Sequence, residues 1–340
     1  MSSRRKKKKG NMIVVLTVIC LAIIVAIIGM LVSMKKNDSS SDGSISGETS
    51  SLSVTSNSSA EVPTVQPTST PEPTPYVSCD ISADAIISNY AYMIRVSDGQ
   101  VMLDKNADSM MYPASMTKVM TALIAIENLP DLDEQITITS DMVYPFYEQE
   151  ASMAGFCEGE TVTVRDLLYG ILLPSGADAC AAISMRVAGS EESFVNLMNQ
   201  KAAELGLTGT HFSNCTGLHS EDHYMTCKDM AMLFETAIQN PTFKEIITAH
   251  DYTCPADDYY PEGLYFSSTM FKSLTSENLS NGAVIMGGKT GTTDEAGYCL
   301  TSFAQYNNEI YILVTSGAMM DDTGEHYNIA DACSIYGALK

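Results

Sequence analysis

A run of uncharged, mostly apolar residues at 12–34 constrains this chain more than any other feature. Its 23 residues would form a helix about 34 Å long at 1.5 Å per residue, enough to cross the hydrocarbon core of a bilayer. Six basic residues at 4–9 precede the run, and such positive flanks stay on the cytoplasmic side. A cleaved signal peptide is the alternative, but the run is long for one and no clear small-x-small cleavage site follows it. We therefore expect a cytoplasmic basic tail at 1–11, a transmembrane anchor at 12–34 and the remaining chain outside the cell.

Residues 35–78 are rich in Ser, Thr, Pro and Gly and contain few large apolar side chains. Such a segment cannot bury enough apolar surface to offset the entropy lost on ordering. The composition predicts a disordered linker that holds one folded domain, residues 79–340, away from the membrane.

The charge of the chain is unevenly distributed. The net charge is −22, yet residues 1–36 contain eight Lys or Arg and no acidic residue. The rest of the chain therefore has 11 basic residues against 41 acidic ones, a net charge of −30. A domain this acidic repels the phosphates of nucleic acid, so we exclude a nucleic-acid partner.

Metal and disulfide sites receive little support from the sequence. Eight of the nine cysteines lie outside the apolar run, an even number that permits disulfides in an exported domain. No Cys-x-x-Cys pair occurs, so neither a zinc site nor a redox motif is predicted, and the pairing stays open. His219 and His223 are four residues apart, but their surroundings predict a loop and not the helix that such a metal pair needs. We expect no metal and no cofactor.

Apolar periodicity predicts strands near both ends of the folded part and helices between them. The predicted strands are residues 90–96, 101–104, 283–286, 297–305 and 310–316. The predicted helices are residues 115–128, 161–173, a segment from 177, 191–205, 227–239 and 327–339. The helix at 115–128 is apolar on more than one face, which is typical of a buried central helix. This order predicts one sheet built from the N- and C-terminal segments, with a helical insert.

Three short motifs could carry chemistry. Ser115 and Lys118 are three residues apart, so on a helix they share one face and could form a nucleophile and its base. Ser175 lies on a predicted turn between two helices of the insert. Lys289, Thr290 and Gly291 follow a predicted strand, and this triplet is the most informative of the three because chance rarely produces it.

Each motif has a plainer reading when it is taken alone. Ser115 could be a helix N-cap and Ser175 a turn residue. The glycine-rich segment 287–291 could be a strand end, and it nearly matches a phosphate-binding loop. We reject nucleotide binding because the residues after Thr292 do not begin an apolar helix and because the segment is expected outside the cell.

The three motifs together resemble those of the penicillin-recognising serine enzymes: Ser-x-x-Lys, Ser-x-Asn and Lys-Thr-Gly. The resemblance extends over residues 81–340. In its detail the chain is similar to the low-molecular-mass D-alanyl-D-alanine carboxypeptidases, a family of penicillin-binding proteins. The residues flanking the motifs match as well: Asp104–Asp108 before Tyr112–Ser115, Gly159–Thr161 before Asp166–Gly170, Thr216–Leu218 before His223–Thr226, and Thr293–Tyr298 after Lys289.

This resemblance implies a fold and a set of roles. The implied fold is α/β (α+β) and β-lactamase/transpeptidase-like, a mainly antiparallel sheet flanked by helices with an all-helical insert. Ser115 would be the nucleophile, Lys118 its base and Ser175 a proton carrier between the leaving amine and the lysines. The residues implied to bind the substrate are Lys289, Thr290, Gly291 and Thr292.

Further implications concern charge and the transition state. Lys118 is a base only when neutral, so burial and a second cation, Lys289, would have to lower its pKa. Lys289 could also attract the terminal carboxylate of a peptide. The backbone amides of Ser115 and Thr292 would form the oxyanion hole.

The sequence departs from the family at three positions. Ala177 replaces the asparagine of the second motif, whose amide would bind the peptide group of the substrate. His326 stands where an arginine is usual, so carboxylate recognition could depend on pH. His219 stands where an aspartate is common.

The resemblance implies a serine-type carboxypeptidase that removes the terminal D-alanine from peptidoglycan stem peptides through an acyl-enzyme at Ser115. The expected partners are these peptides, β-lactam antibiotics as covalent inhibitors, and the cell membrane through residues 12–34. Two alternatives remain open. One is a serine β-lactamase, which needs a group that activates the deacylating water. The other is a catalytically weak wall-binding or β-lactam-binding domain, which Ala177 would favour.

Overall fold

The computed structural model describes residues 77–321 and 323–340. The predicted tail, the anchor and almost all of the predicted linker lie outside these residues. Within them, no helix is long and apolar enough to cross a membrane. Val77 is buried, and the backbone of Ser78 pairs with that of Lys340 through two hydrogen bonds of 3.1 and 3.0 Å. The folded part therefore includes two residues that the sequence analysis placed in the linker.

Nine strands occur among the described residues, and five of them form one antiparallel sheet. They are β1 (Tyr90–Arg95), β2 (Val101–Lys105), β3 (Gln135–Thr137), β4 (Thr161–Thr163), β5 (Asp251–Thr253), β6 (Tyr265–Ser267), β7 (Val284–Thr293), β8 (Gly297–Tyr306) and β9 (Glu309–Ala318). The order in the sheet is β2-β1-β9-β8-β7, and the two short pairs are β3-β4 and β5-β6. The prediction of one sheet built from both ends of the chain is confirmed.

Nine α-helices accompany the strands in the described part of the chain. They are α1 (Lys118–Asn128), α2 (Tyr144–Glu148), α3 (Val164–Leu172), α4 (Ala177–Ala188), α5 (Glu191–Glu204), α6 (Cys227–Gln239), α7 (Pro241–Ile247), α8 (Thr269–Ser273) and α9 (Tyr327–Gly337). All the helices predicted from periodicity are present within a few residues of their expected bounds, and those between β4 and β5 form the predicted helical insert.

The two faces of the sheet pack against different helices. Along β9, Tyr311 and Leu313 enter a core that contains Ile335 and Tyr336 of α9, whereas Ile312 and Val314 enter the larger core. Successive side chains of a strand point to opposite faces, so a continuous apolar strand requires a helical layer on each side. The larger core contains α1, in which every residue from 118 to 125 is buried. The prediction of a buried central helix is confirmed.

Two local details differ from the sequence-based prediction. Ser115 lies in a 3-10 turn, Ala114–Thr117, and the α-helix begins only at Lys118. Strand β7 continues to Thr293, so Lys289 and its neighbours lie inside the strand and not after it. The apolar pattern stops at residue 286 because the following residues are Gly, Lys and Thr.

Gly287 is required by packing, since a Cβ there would lie 2.5 Å from the carbonyl oxygen of Ile247.

The carboxylate of Asp331 on α9 ties the start of the domain to its end. It accepts hydrogen bonds from the backbone N–H of Ile87 (2.9 Å), the N–H of Ser88 (2.7 Å) and the Ser88 hydroxyl (2.6 Å). Asp331→Ala leaves these donors without a partner, and we expect it to lower the free energy of unfolding by about 2–4 kcal/mol. Ser334→Ala on the exposed side of the same helix should change it by less than about 0.5 kcal/mol. Urea unfolding of both variants measures the difference, and equal stabilities would contradict this role of Asp331.

Candidate active site

Ser115 and Lys118 lie at the junction between the 3-10 turn and α1. Lys118 Nζ is 3.0 Å from Ser115 Oγ and donates a second hydrogen bond of 2.6 Å to the carbonyl oxygen of Thr216. The backbone changes from a 3-10 turn to an α-helix between the two residues, and their side chains still lie on one face, as the spacing of three residues predicts. Lys118 is only 2% exposed, whereas Ser115 remains partly open to solvent.

The turn that carries Ser115 is tightly confined. Ala114 has a φ of +47°, a left-handed conformation that costs free energy for a residue with a Cβ. Gly217 packs directly on this turn, because a Cβ at Gly217 would lie 1.9 Å from the carbonyl oxygen of Ala114. A Cβ at Gly291 would lie 2.9 Å from the carbonyl oxygen of Pro113 and 3.1 Å from the backbone nitrogen of Ser115. Glycine at 217 and 291 therefore allows a loop and β7 to hold the Ser115 turn between them.

The second serine–lysine pair faces the first. Ser175 Oγ is 3.0 Å from Lys289 Nζ, which also donates to the carbonyl oxygen of Thr290 at 2.9 Å. Ser175 has a φ of +70° and lies between α3 and α4, on the turn that the sequence predicts. Lys289 is fully buried.

Burial lowers the pKa of both lysines. Desolvation lowers the pKa of the Lys118 ammonium from its ordinary value. Desolvation, and then the charge of Lys118, lower the pKa of Lys289 well below its ordinary value. Two buried amines of like charge do not both stay protonated, so the arrangement favours a neutral amine beside a serine hydroxyl. A neutral amine at this distance can accept the hydroxyl proton.

A cavity of about 430 Å³ opens above these pairs. The residues that line it are Ser115, Ser152, Ser175, Thr269, Lys272, Ser273, Thr290, Gly291, Thr292, His326 and Asn328. Five of the seven predicted site residues are therefore on the cavity wall, and the other two, Lys118 and Lys289, lie buried behind it. The structure brings all seven together.

Comparisons with known proteins agree with this geometry. The family model for D-alanyl-D-alanine carboxypeptidases matches residues 78–320. The chain belongs to this family.

Among curated relatives of the family, the D-alanyl-D-alanine carboxypeptidase DacF of Bacillus subtilis is 39% identical over 67% of this chain and 57% of its own length. The D-alanyl-D-alanine carboxypeptidase DacC of Escherichia coli is 31% identical over 71% of this chain and 59% of its own length. The chain thus spans less than three-fifths of these two relatives. The structure of the Streptomyces K15 DD-transpeptidase has a TM-score of 0.65 and 28% identity, and the match covers 74% of this chain and 97% of that chain. The predicted fold class is confirmed.

The environment of Ala177 shows how this member of the carboxypeptidase family departs from the second motif. Ala177 is 1% exposed and does not line the cavity. Its N–H donates to the carbonyl oxygen of Ser152 at 2.8 Å, and Ser152 lines the cavity together with Ser115 and Ser175. The loop that carries Ser152 is fixed by the buried Asp178 carboxylate, which accepts the backbone N–H groups of residues 154, 155 and 156 at 2.8–3.1 Å. No pattern in the sequence indicates this loop.

His223 has a role that sequence reasoning missed. The N–H of Ser213 donates to His223 Nδ1 at 3.1 Å, so the ring proton is on Nε2. Nε2 lies 2.7 Å from Thr117 Oγ1, and the Thr117 hydroxyl donates to the carbonyl oxygen of Ala114 at 2.8 Å. This chain of hydrogen bonds holds Ala114, the strained residue before Ser115. The sequence shows the match of His223 to the family but not its contact with a residue 106 positions away.

The other two departures from the family lie at different places. The ring of His219 makes an edge contact with Tyr112, and its Nδ1 is 3.7 Å from a Glu295 oxygen. These partners differ from those of His223. His326 lines the cavity and lies against the ring of Tyr298.

His223 should make folding sensitive to acid. Burial lowers its pKa to about 4, so between about pH 6.5 and 4 the unfolded chain binds a proton at this residue and the native protein does not. Stability therefore falls as the pH falls through this range, by about 3 kcal/mol from this group. Comparison of urea unfolding at pH 7 and pH 4.5 should show a smaller loss in His223→Gln than in the wild type. His211→Gln, which changes an exposed histidine nearby, is the control. An unchanged pH dependence in His223→Gln would contradict a neutral, buried His223.

Proposed function

We propose that this protein is a serine-type D-alanyl-D-alanine carboxypeptidase that removes the terminal D-alanine from peptidoglycan stem peptides through an acyl-enzyme at Ser115. The observation that carries the proposal is the distance of 3.0 Å between Ser115 Oγ and the buried Lys118 amine, with the Ser175–Lys289 pair across the cavity at the same distance. Membership of the carboxypeptidase family supports the choice of substrate.

Acylation follows from the first pair. Neutral Lys118 takes the proton of the Ser115 hydroxyl as Oγ attacks the carbonyl carbon between the last two residues of the peptide. The carbonyl oxygen becomes an oxyanion, which the backbone N–H groups of Ser115 and Thr292 stabilise. The C–N bond then breaks, and the leaving amine takes a proton through Ser175 from Lys118. Lys289 holds the Ser175 hydroxyl in place for this transfer.

Deacylation reverses the roles. Water enters the space left by D-alanine and loses a proton to the amine of Lys118 as it attacks the ester carbonyl. Collapse of the second tetrahedral intermediate releases the shortened peptide, and Ser115 Oγ recovers the proton. The net reaction is hydrolysis of one peptide bond, and both lysines return to their starting protonation states.

Strand β7 is suited to align the peptide. It is an edge strand of the sheet, and its Thr290, Gly291 and Thr292 line the cavity. An extended peptide beside this edge could add as a further strand, with main-chain hydrogen bonds fixing its register. Penicillins would acylate Ser115 as covalent inhibitors in the same position.

The alternatives receive less support from the site. A β-lactamase needs a group that activates water, and no Asp or Glu lines the cavity among the described residues. Glu160, whose burial raises its pKa to about 7, lies before β4 and accepts the N–H of Cys157, away from the cavity wall. A binding domain without activity would not need two buried lysines, since each costs desolvation energy.

For the location of the enzyme we propose a single-pass membrane protein with a cytoplasmic N-terminus. The anchor would be residues 12–34 and the linker residues 35–78, with the catalytic domain from residue 79 outside the cell. The support is the sequence alone: the apolar run, the basic residues before it and the polar composition after it.

Labelled penicillin and a peptide ending in D-Ala-D-Ala test the covalent step. The wild type should form one adduct on Ser115 and release D-alanine. Ser115→Ala should form no adduct and lose at least about 10³-fold in kcat/KM. Lys118→Met, in which burial is retained but the base is absent, should lower the rate of acylation about 10²-fold or more at unchanged stability.

Mass spectrometry of the adduct and a D-alanine assay provide the readouts, and Ser334→Ala serves as the control. Equal labelling of the wild type and Ser115→Ala would contradict the proposal. Fast turnover of a chromogenic cephalosporin without a stable adduct would favour the β-lactamase. Binding of the peptide without release of D-alanine would favour the inactive domain.

A further inference from the structure

The charge of the domain works against its proposed substrate. A peptide that ends in D-Ala-D-Ala carries a terminal carboxylate, whereas the chain after residue 36 has a net charge of −30. Such a protein repels anions at long range. A carboxylate can bind only where a local cation reverses the field, so the positive groups of the cavity decide where the end of the peptide lies.

Lys289 is poorly placed to bind the terminal carboxylate of the peptide. It is fully buried, and its amine already donates to Ser175 and to the carbonyl oxygen of Thr290. Lys289 does not line the cavity, so its amine is not in direct contact with a carboxylate bound there. Lys118 is likewise buried and engaged with Ser115 and Thr216. The hypothesis that Lys289 attracts the carboxylate therefore conflicts with the role of Lys289 as the partner of Ser175.

Lys272 differs from Lys289 and Lys118 in its exposure and in its partners. It is exposed, lines the cavity, and forms no ion pair with any other described residue. It lies on α8, three residues after Thr269, whose hydroxyl is 2.7 Å from the hydroxyl of Thr290. Because residues three apart share a helix face, Lys272 and Thr269 face the same stretch of β7.

The remaining wall agrees with an anion site. Besides Lys272 and His326, its side chains are neutral, and several are hydroxyls: Ser273, Thr269, Thr290 and Thr292. Hydroxyl and ammonium groups are both donors to a carboxylate, and a charged donor roughly doubles the strength of such a hydrogen bond.

We propose that Lys272 is the residue that binds the terminal carboxylate of the peptide, with the Thr290 hydroxyl as its neighbour. This places the leaving D-alanine between α8 and β7 and the acyl part of the peptide further along β7, toward Thr292. The inference rests on the proposed function, since it assigns the substrate's carboxylate within the same cavity. It makes Lys272 a specificity residue and leaves Lys289 free to act with Ser175.

Two thioesters with the same acyl-D-alanyl group test this assignment. One has mercaptoacetate as the leaving group, which carries a carboxylate, and the other has mercaptoacetamide, which is neutral. The kcat/KM value of the charged thioester is divided by that of the neutral one, both measured at pH 8.5. This ratio measures recognition of the carboxylate independently of the chemistry at Ser115. In Lys272→Ala the ratio should fall about 5-fold to 20-fold, and the rate with the neutral thioester should stay within about 2-fold.

The conservative variant and a matched control sharpen the test. Lys272→Arg should keep most of the ratio, because it retains the charge, and Lys272→Glu should lower it further. Lys244→Ala removes an exposed lysine that does not line the cavity and should leave the ratio unchanged. The wild-type ratio should also fall between 50 mM and 1 M NaCl, since salt screens an exposed pair.

The outcomes separate this inference from the proposed function. A ratio that Lys272→Ala leaves unchanged, or equal losses with both thioesters, would overturn the assignment of Lys272 while leaving the acyl-enzyme intact. Failure of both thioesters to acylate Ser115 in the wild type would overturn the proposed function, and this assignment with it.

Discussion

The desolvation of two lysine amines is the constraint on which the site depends. Lys118 and Lys289 are each held within hydrogen-bonding distance of a serine, and neither has a carboxylate partner within 4 Å among the residues that the structure describes. In water these amines would be protonated and would be poor bases. Burial between α1 and β7 makes the neutral form of the amine accessible. Burying the two lysines costs desolvation free energy, which the large apolar core of the domain offsets.

Much of the remaining structure holds these two pairs in place. The sheet joins the first and last segments of the chain, so that β7 lies beside the turn that carries Ser115. His223 and Thr117 hold the strained Ala114 from one side, and Gly217 allows a loop to press on it from the other. The Asp178 carboxylate fixes the loop that borders Ser175. A positioned nucleophile can supply several kcal/mol of the lowered barrier, and rigid neighbours make this possible.

The sequence predicted most of the elements, and the seven residues that it predicted for the site lie together in the structure, for physical reasons. Apolar content identifies α1 and β9, which are buried on more than one face, and apolar periodicity identifies α6, which buries one face. The motif residues are recognisable because chemistry restricts their identity. The second half of β7 was missed, since Gly287, Gly288 and Lys289 do not alternate in polarity. The contact of His223 with Thr117 and the loop at Ser152 could not be predicted, because they depend on how distant segments pack. Lys272 is an ordinary surface lysine in the sequence, and only the cavity gives it a possible role.

The charge of Lys118 is the quantity that the account depends on most, and it can be measured directly. NMR titration of protein labelled with 13C at the lysine Cε, with Lys118→Arg used to assign the signal, reports the pKa of this amine. The account predicts a value clearly below the ordinary range near 10.4 and a matching pH dependence of Ser115 acylation. A Lys118 pKa at or above the ordinary range would mean that the amine stays charged beside Ser115, and it would contradict the role of Lys118 as the base.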